Sequence, residues 1–324
     1  MPLPILDGRL RLPVVCSPMF IVSSLELVIA QCKAGVVGSF PALNARPAEA
    51  LDEWLVRIKD ELARHDKEHP DRPSAPFAVN LIAHRSNVRL EQDLALCVKH
   101  EVPIVITSLG AREDVNQAVH AYGGIVLHDV INNKFAKKAI EKGADGLIAV
   151  AAGAGGHTGA QSPFALIQEI REWFDGPLLL SGAIANGNAI LAAQAAGADL
   201  AYVGSAFIAT KEANAAPEYK QMVVEGDASQ IVLTNYITGV HGNYLRASLV
   251  GGGLDPDNLP SAAPSKMDFS AGSSRPKAWK EIWGAGQGIG AVKQVDSAAE
   301  VVARMTGEYQ AARARLDCRL DSNS

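Results

Sequence analysis

Two stretches, Lys142-Gly143-Ala144-Asp145-Gly146-Leu147-Ile148-Ala149-Val150 and Ala196-Gly197-Ala198-Asp199-Leu200-Ala201-Tyr202-Val203, repeat one pattern in a chain of 324 residues. In each, a glycine stands where a helix ends, because it accepts the left-handed backbone that closes a helix, and an aspartate precedes a short apolar run of buried-strand character. The same rhythm of apolar run, polar or glycine turn and helical stretch extends from Pro13 to about Thr210. The apolar runs are 13–16, 35–40, 77–82, 103–107, 124–128, 146–150, 177–180 and 200–203, with helices expected between them at 24–33, 47–64, 87–100, 111–122, 132–142, 162–174 and 186–196. Such alternation means parallel strands with crossover helices. Eight units in about 200 residues are those of an α/β fold of the (β/α)8 TIM-barrel class. An open doubly wound sheet would need fewer strands and an early phosphate-binding glycine fingerprint, which Ser17-Pro18-Met19 does not supply.

Residues 1–210 are therefore read as the barrel. Residues 211–292, where the rhythm breaks, are read as a smaller lid or substrate domain over its mouth, with helix expected at 213–230, a mixed segment at 231–246 and a glycine-, proline- and serine-rich stretch at 250–276. Residues 293–324 are read as a helix returning to the barrel and a frayed tail. The helix opens on Ser297-Ala298-Ala299-Glu300, in which serine and glutamate each satisfy an orphan N–H of the first turn, and is expected to reach about Arg315.

The apolar share of 48% and the charged share of 20% are those of a globular protein, and they exclude disordered and collagen-like classes. A net charge of -5 without a dense basic run gives no general attraction to nucleic acid. Cys16, Cys32, Cys97 and Cys318 are too scattered for a zinc site or a disulfide framework, which favours a reduced, cytoplasmic setting. The first residues, MPLPILDGRLRLP, lack a secretory pattern, and the most membrane-like window, 189–210, is interrupted by Gln194, Asp199 and glycines. No metal site, nucleic-acid partner or membrane partner is expected, and an oligomer is compatible with the composition.

In such a barrel, chemistry collects where the strands end. Those positions are Ser17, Pro18 and Met19 after the first strand, Gly38 and Ser39 after the second, Asn80 at the third, Thr107 and Ser108 after the fourth, and His128 and Asp129 after the fifth. The sixth ends in Ala151-Ala152-Gly153-Ala154-Gly155-Gly156-His157-Thr158-Gly159, the seventh in Ser181-Gly182-Ala183 and the eighth in Gly204-Ser205-Ala206-Phe207. Small residues after the last two strands leave backbone N–H groups to converge on one anion, the usual phosphate cradle of these barrels. A lone titratable ring among glycines can approach something flat, which makes His157 the candidate catalytic base. No lysine or carboxylate pair suited to sugar-phosphate chemistry stands at a strand end. A phosphorylated planar cofactor, flavin mononucleotide (FMN), suits the set better.

At these residues the chain resembles the nitronate monooxygenase (2-nitropropane dioxygenase) family of FMN-dependent barrels, whose relatives include an NADH:quinone reductase and a flavin-dependent enoyl-acyl-carrier-protein reductase. The likeness runs from about Pro13 to Val292. It is carried by Gly155-Gly156-His157-Thr158-Gly159, by Leu180-Ser181-Gly182-Ala183-Ile184-Ala185 and by Tyr202-Val203-Gly204-Ser205-Ala206-Phe207. Pro18-Met19, Asn80 and Ala285-Gly286-Gln287-Gly288 match more weakly. The resemblance implies oxidation of alkyl nitronates with dioxygen, His157 taking the α-proton of neutral nitroalkanes. It implies FMN held by Ser17, Pro18, Met19, Asn80, Thr107, His128, Gly155, Gly156, Ser181, Gly182, Ala183, Gly204, Ser205 and Gln287, with Met19, Phe207, Tyr236 and Tyr244 as pocket walls.

The chain departs from the family pattern at Asp129, where many members carry lysine, so that a cation would be missing or supplied by Lys134. It departs also at Ala183, in place of a glycine, and at His241 within Thr234–Arg246. An FMN-dependent NAD(P)H:quinone or enoyl reductase is the first rival reading, and a flavin-free, non-catalytic phosphate-binding barrel the second.

Overall fold

The repeated aspartates act as clamps between strands. Asp145 and Asp199 each use Oδ2 to accept the N–H at the start of the neighbouring strand, Val126 at 2.7 Å and Leu178 at 2.8 Å. The glycines before them, Gly143 and Gly197, sit at φ of 88° and 113°, the left-handed region that ends each helix.

The computed structural model describes residues 3–261 and 281–321. In chain order the barrel elements are β1 (Val14–Cys16), α1 (Leu25–Ala34), β2 (Gly38–Pro41), α2 (Ala50–Glu68), β3 (Phe77–Ile82), α3 (Leu90–Lys99), β4 (Ile104–Ser108), α4 (Glu113–His120), β5 (Ile125–Val130), α5 (Asn133–Glu141) and β6 (Gly146–Val150). A two-residue strand, β7 (Gly156–His157), follows, then α6 (Pro163–Arg171), β8 (Leu178–Ser181), α7 (Gly187–Ala195) and β9 (Leu200–Val203). The eight longer strands are parallel in the order β1-β9-β8-β6-β5-β4-β3-β2. The ring closes where Val15 bridges Val37, with the Cys16 N–H donating to the Val37 carbonyl at 2.8 Å. This is a (β/α)8 barrel.

Period-two alternation gives each strand two faces. Val15, Val37, Ala78, Ile106, Leu127 and Ile148 point inward, while Val14, Val79, Val105, Val126 and Leu147 face the helices. The floor of the barrel comes from a segment the sequence reading left unassigned. Leu3 and Leu6, flanking and ending the 3-10 turn Pro4–Leu6, pack with Ile104, Ile125 and Leu200 at the strand beginnings.

Beyond the barrel lie α8 (Pro217–Glu225), β10 (Ile231–Thr234), β11 (Gly242–Leu245), α9 (Arg246–Gly251) and α10 (Ala298–Asp321). The expected 213–230 helix is thus shorter, ending where Gly226 takes an extended backbone. Most of the stretch expected as glycine-, proline- and serine-rich lies outside the described residues. The capping box forms, with Ser297 Oγ accepting the Glu300 N–H at 3.2 Å and Glu300 Oε2 accepting the Ser297 N–H at 2.7 Å. The last helix passes the expected stop at Arg315 and continues to Asp321. It is tied to α7 by Tyr309 Oη donating to Gln194 Oε1 at 2.5 Å and by Glu308 Oε2 accepting the Gly187 N–H at 2.8 Å. Among the described residues no helix is long and apolar enough to cross a membrane.

Leu6 is fully buried. Leu6→Ala is expected to lower stability by about 2–5 kcal/mol, the usual range for a large-to-small change in a packed core. A urea midpoint unchanged from the parent would show that this floor carries no load.

Candidate active site

The turn after β6 is pinned at both ends. The Ala152 N–H donates to the Gln161 carbonyl at 2.8 Å, and Thr158 Oγ1 donates to the Ala151 carbonyl at 2.9 Å. Within it Gly153 and Gly156 hold φ of 87° and 67°. Gly155 is required for closeness instead, since a Cβ there would lie 2.7 Å from the Gly286 nitrogen and 2.9 Å from Ser205 Oγ.

The turn emerges as β7, an element with no sequence signal of its own. It pairs antiparallel with β11, His157 opposite Gly242 and Gly156 opposite Asn243, to complete a three-stranded sheet with β10. Asn243 Nδ2 reinforces the junction by donating to the Ala154 carbonyl at 2.7 Å. His157 therefore sits where the turn after β6 meets the β10-β11 sheet. Its Nε2 lies 3.1 Å from Thr238 Oγ1, and the Thr238 hydroxyl donates to the Val240 carbonyl at 3.2 Å. Burial pulls the His157 pKa down to about 4, below the near-neutral value expected of an unperturbed imidazole.

The two small-residue turns stand side by side, because β8 pairs with β9. Gly182 has φ of 143° and Ala183 φ of 55°, so the alanine that replaces a family glycine still occupies the left-handed region. The Gly153 carbonyl holds this turn by accepting from both Ala183 N–H at 3.2 Å and Gln287 N–H at 2.9 Å. Ser205 Oγ accepts from the Gly286 N–H at 2.8 Å. Met19 Sδ and Ser17 Cβ lie 3.7 and 3.2 Å from the Cβ position of Gly204, which adds the Ser17-Pro18-Met19 turn to the group. Among the described residues no acceptor pairs with the N–H of Gly182, Gly204 or Ser205.

Across the mouth, β3, β4 and β5 present a polar wall. Asn80 Nδ2 donates to Ser108 Oγ at 2.8 Å and to the Ile106 carbonyl at 3.0 Å, and Ser108 Oγ donates to Asp129 Oδ2 at 2.6 Å. Desolvation raises the Asp129 pKa to about 6. Thr107 and His128 occupy the opposite face of the same strands, bonded to each other at 2.6 Å and buried beneath the helices. The wall is formed by their neighbours Ser108 and Asp129, which the list of strand ends included without selecting. Counting alternate residues from inward-facing Leu127 would have found Asp129.

Other residues lie outside this group. Lys134 and His241 are exposed, and Phe207 is buried in the layer between strands and helices. Tyr244, fully buried, and Tyr236 pack inside the lid with Ile237, Leu249 and Ile282. Among the described residues no cluster of metal-ligating side chains occurs.

A histidine on a glycine turn, N–H groups without an acceptor among the described residues at two adjoining strand ends and a polar opposite wall thus gather at one end of the barrel. The family model described as nitronate monooxygenase matches residues 29–308, and the chain belongs to that family of flavin-dependent oxidoreductases. A nitronate monooxygenase of Paraburkholderia phytofirmans is 26% identical, with 92% of each chain covered. An octahydro-indene-carboxyl-CoA dehydrogenase of Mycobacterium tuberculosis is 26% identical over 74% of this chain. The chain spans 64% of the length of that relative and 61% of another from the same organism. The fold is shared with a nitroalkane oxidase of Streptomyces ansochromogenes, with a TM-score of 0.78 at 24% identity over 96% of this chain and 99% of that one.

Gly204 has a right-handed backbone, and a Cβ there would meet Ser17 Cβ at 3.2 Å, a contact relieved by a shift of that side chain of a few tenths of an ångström. If the N–H groups beside it hold a phosphate, Gly204→Asp is expected to weaken FMN binding about tenfold or more through like-charge repulsion, while Gly204→Ala stays close to the parent. Fluorescence titration of FMN measures both, and equal affinities would move the phosphate site elsewhere.

Proposed function

We propose that this protein oxidises alkyl nitronates with dioxygen using FMN, and that His157 is the base that admits neutral nitroalkanes. The observation that carries the reading is the meeting, at one end of the barrel, of N–H groups on Gly182, Gly204 and Ser205 that have no acceptor among the described residues with the turn that bears the His157 imidazole. These donors fit a phosphate without any cation, as strand-end turns in such barrels do. The matching relative named a nitronate monooxygenase supports the same substrate class.

In this reading the turns after β8 and β9 bind the phosphate, and Ser17 and Met19 border them. Gly155 lets the Ala285–Gly288 run and Ser205 close against the histidine turn. Bound FMN would supply the redox chemistry, accepting electrons from the nitronate and returning them to dioxygen. His157 acts before that chemistry. The α C–H bond of a neutral nitroalkane breaks, the proton passes to the imidazole and the electron pair remains on the substrate as the nitronate. Thr238, whose hydroxyl lies 3.1 Å from Nε2, fixes the orientation of the ring.

Burial keeps the ring neutral well below pH 7, so the base is available throughout the neutral range. Its protonation should abolish proton abstraction only as the pH falls through about 4. The kcat/KM profile for a neutral nitroalkane is therefore expected to show its acid limb there, and a limb near ~6.5, the ordinary histidine value, would point to an exposed base.

His157→Ala or His157→Asn should retain FMN while lowering turnover of neutral nitroalkanes by about 100-fold or more, the common contribution of a general base. Turnover of preformed nitronates should change far less, and equal losses on both substrates would remove the assignment. Anaerobic spectra test the whole reading, with bleaching by nitronate alone expected. Bleaching by NADH or NADPH would instead favour the reductase, and a protein that takes up no FMN would favour the flavin-free barrel.

A further inference from the structure

Asp129 sits near the inner end of β5 and is held from more than one element. Ser108 Oγ donates to it from β4 at 2.6 Å, and Asn80 on β3 fixes that serine. Leu109, the residue after Ser108, is held at φ of 61°, the left-handed region that a side chain disfavours. A hydrogen-bonded chain from β3 through β4 thus ends on one carboxyl beside a strained turn.

The surroundings are otherwise neutral. From β9 the Tyr202 side chain enters the same interior, and its own pKa is raised by burial and by the Asp129 carboxylate. From β6 the strand end presents Val150, and His128 points to the other face of β5. Among the described residues no lysine, arginine or histidine offsets the Asp129 charge, and desolvation dominates its titration. In the strand order β1-β9-β8-β6-β5-β4-β3-β2, the strands opposite β9 and β8 are β4 and β3. A planar ligand anchored by phosphate at β8 and β9 crosses the mouth toward the wall that carries Asn80, Ser108 and Asp129.

We propose that Asp129 sets the reduction potential of the bound flavin and takes up a proton when the flavin is reduced. This rests on the FMN reading above. Two electrons from the nitronate, or from dithionite in a titration, enter the flavin with one solvent proton and leave the ring with one negative charge. A second solvent proton converts the Asp129 carboxylate to the acid, because two anions in a weakly solvated mouth repel. In the oxidised protein the carboxylate disfavours reduction, which keeps the potential low.

The test is a redox titration of the FMN-loaded protein and of Asp129→Asn between about pH 5 and 8, the span over which a carboxyl raised to about 6 changes charge. The parent should take up two protons for two electrons above about pH 6, and Asp129→Asn only one. At the alkaline end Asp129→Asn should have the higher potential by about 30 mV or more, a tenfold preference for the reduced form in a two-electron couple. Ser108→Ala retains the carboxyl but loses a hydrogen bond to its charged form, so its two-proton region should begin at higher pH.

Equal potentials and proton counts in the parent and Asp129→Asn overturn the proposal. Unchanged onset in Ser108→Ala, should the first variant fail to fold, does the same. FMN uptake and bleaching by nitronate in the parent are read separately. A parent that passes both while its potential ignores Asp129 retains the oxidase function and loses this inference. A parent that takes up no FMN loses both.

Discussion

The carbonyl of Gly153 and the missing side chain of Gly155 together hold the barrel mouth. One oxygen accepts the N–H groups of Ala183 and Gln287, and the next glycine lets Gly286 and Ser205 close against the turn. Four segments far apart in the chain meet there, the turns after β6, β8 and β9 and the late Ala285–Gly288 run. Any side chain at 155 would force them apart, because the facing atoms are largely backbone and cannot rotate away. The candidate anion site and the candidate base are thereby placed by backbone geometry, with side chains added to it.

The barrel wall shows how one strand can serve two purposes. Outward residues such as Val105 and Val126 bury apolar area against the helices, which supplies most of the stability, while inward ones change from aliphatic at the floor to polar at the mouth. The polar layer is affordable because it is hydrogen-bonded within itself, from Asn80 through Ser108 to Asp129. Its remaining imbalance is electrostatic, a carboxyl without a cation. That imbalance is local to the mouth and leaves the packing below it untouched.

The β10-β11 sheet is joined to the barrel by pairing with the backbone of the histidine turn. Because β7 is an edge of that sheet, the backbone position of His157 depends on β11 lying beside it. Burial of the ring in the folded chain lowers its pKa.

The sequence by itself determined the barrel. Strand periodicity, helix caps such as Ser24, Asn132 and Asn186, and the repeated Gly-Ala-Asp junctions are local signals, since each depends on residues within one turn or one strand. Strands 77–82, 146–150 and 200–203 were legible to the residue, and so were the glycine turns that cluster at the mouth. Other features came only from the tertiary structure. The floor built by Leu3 and Leu6 is visible only once a ring exists to be plugged. Strand β7 has two residues and exists only because β11 arrives beside it. Which face of β5 enters the barrel, and so whether His128 or Asp129 meets a ligand, follows from packing against the whole ring. The downward shift of His157 needs the folded chain, because desolvation is a property of everything around a group and of no stretch of sequence alone.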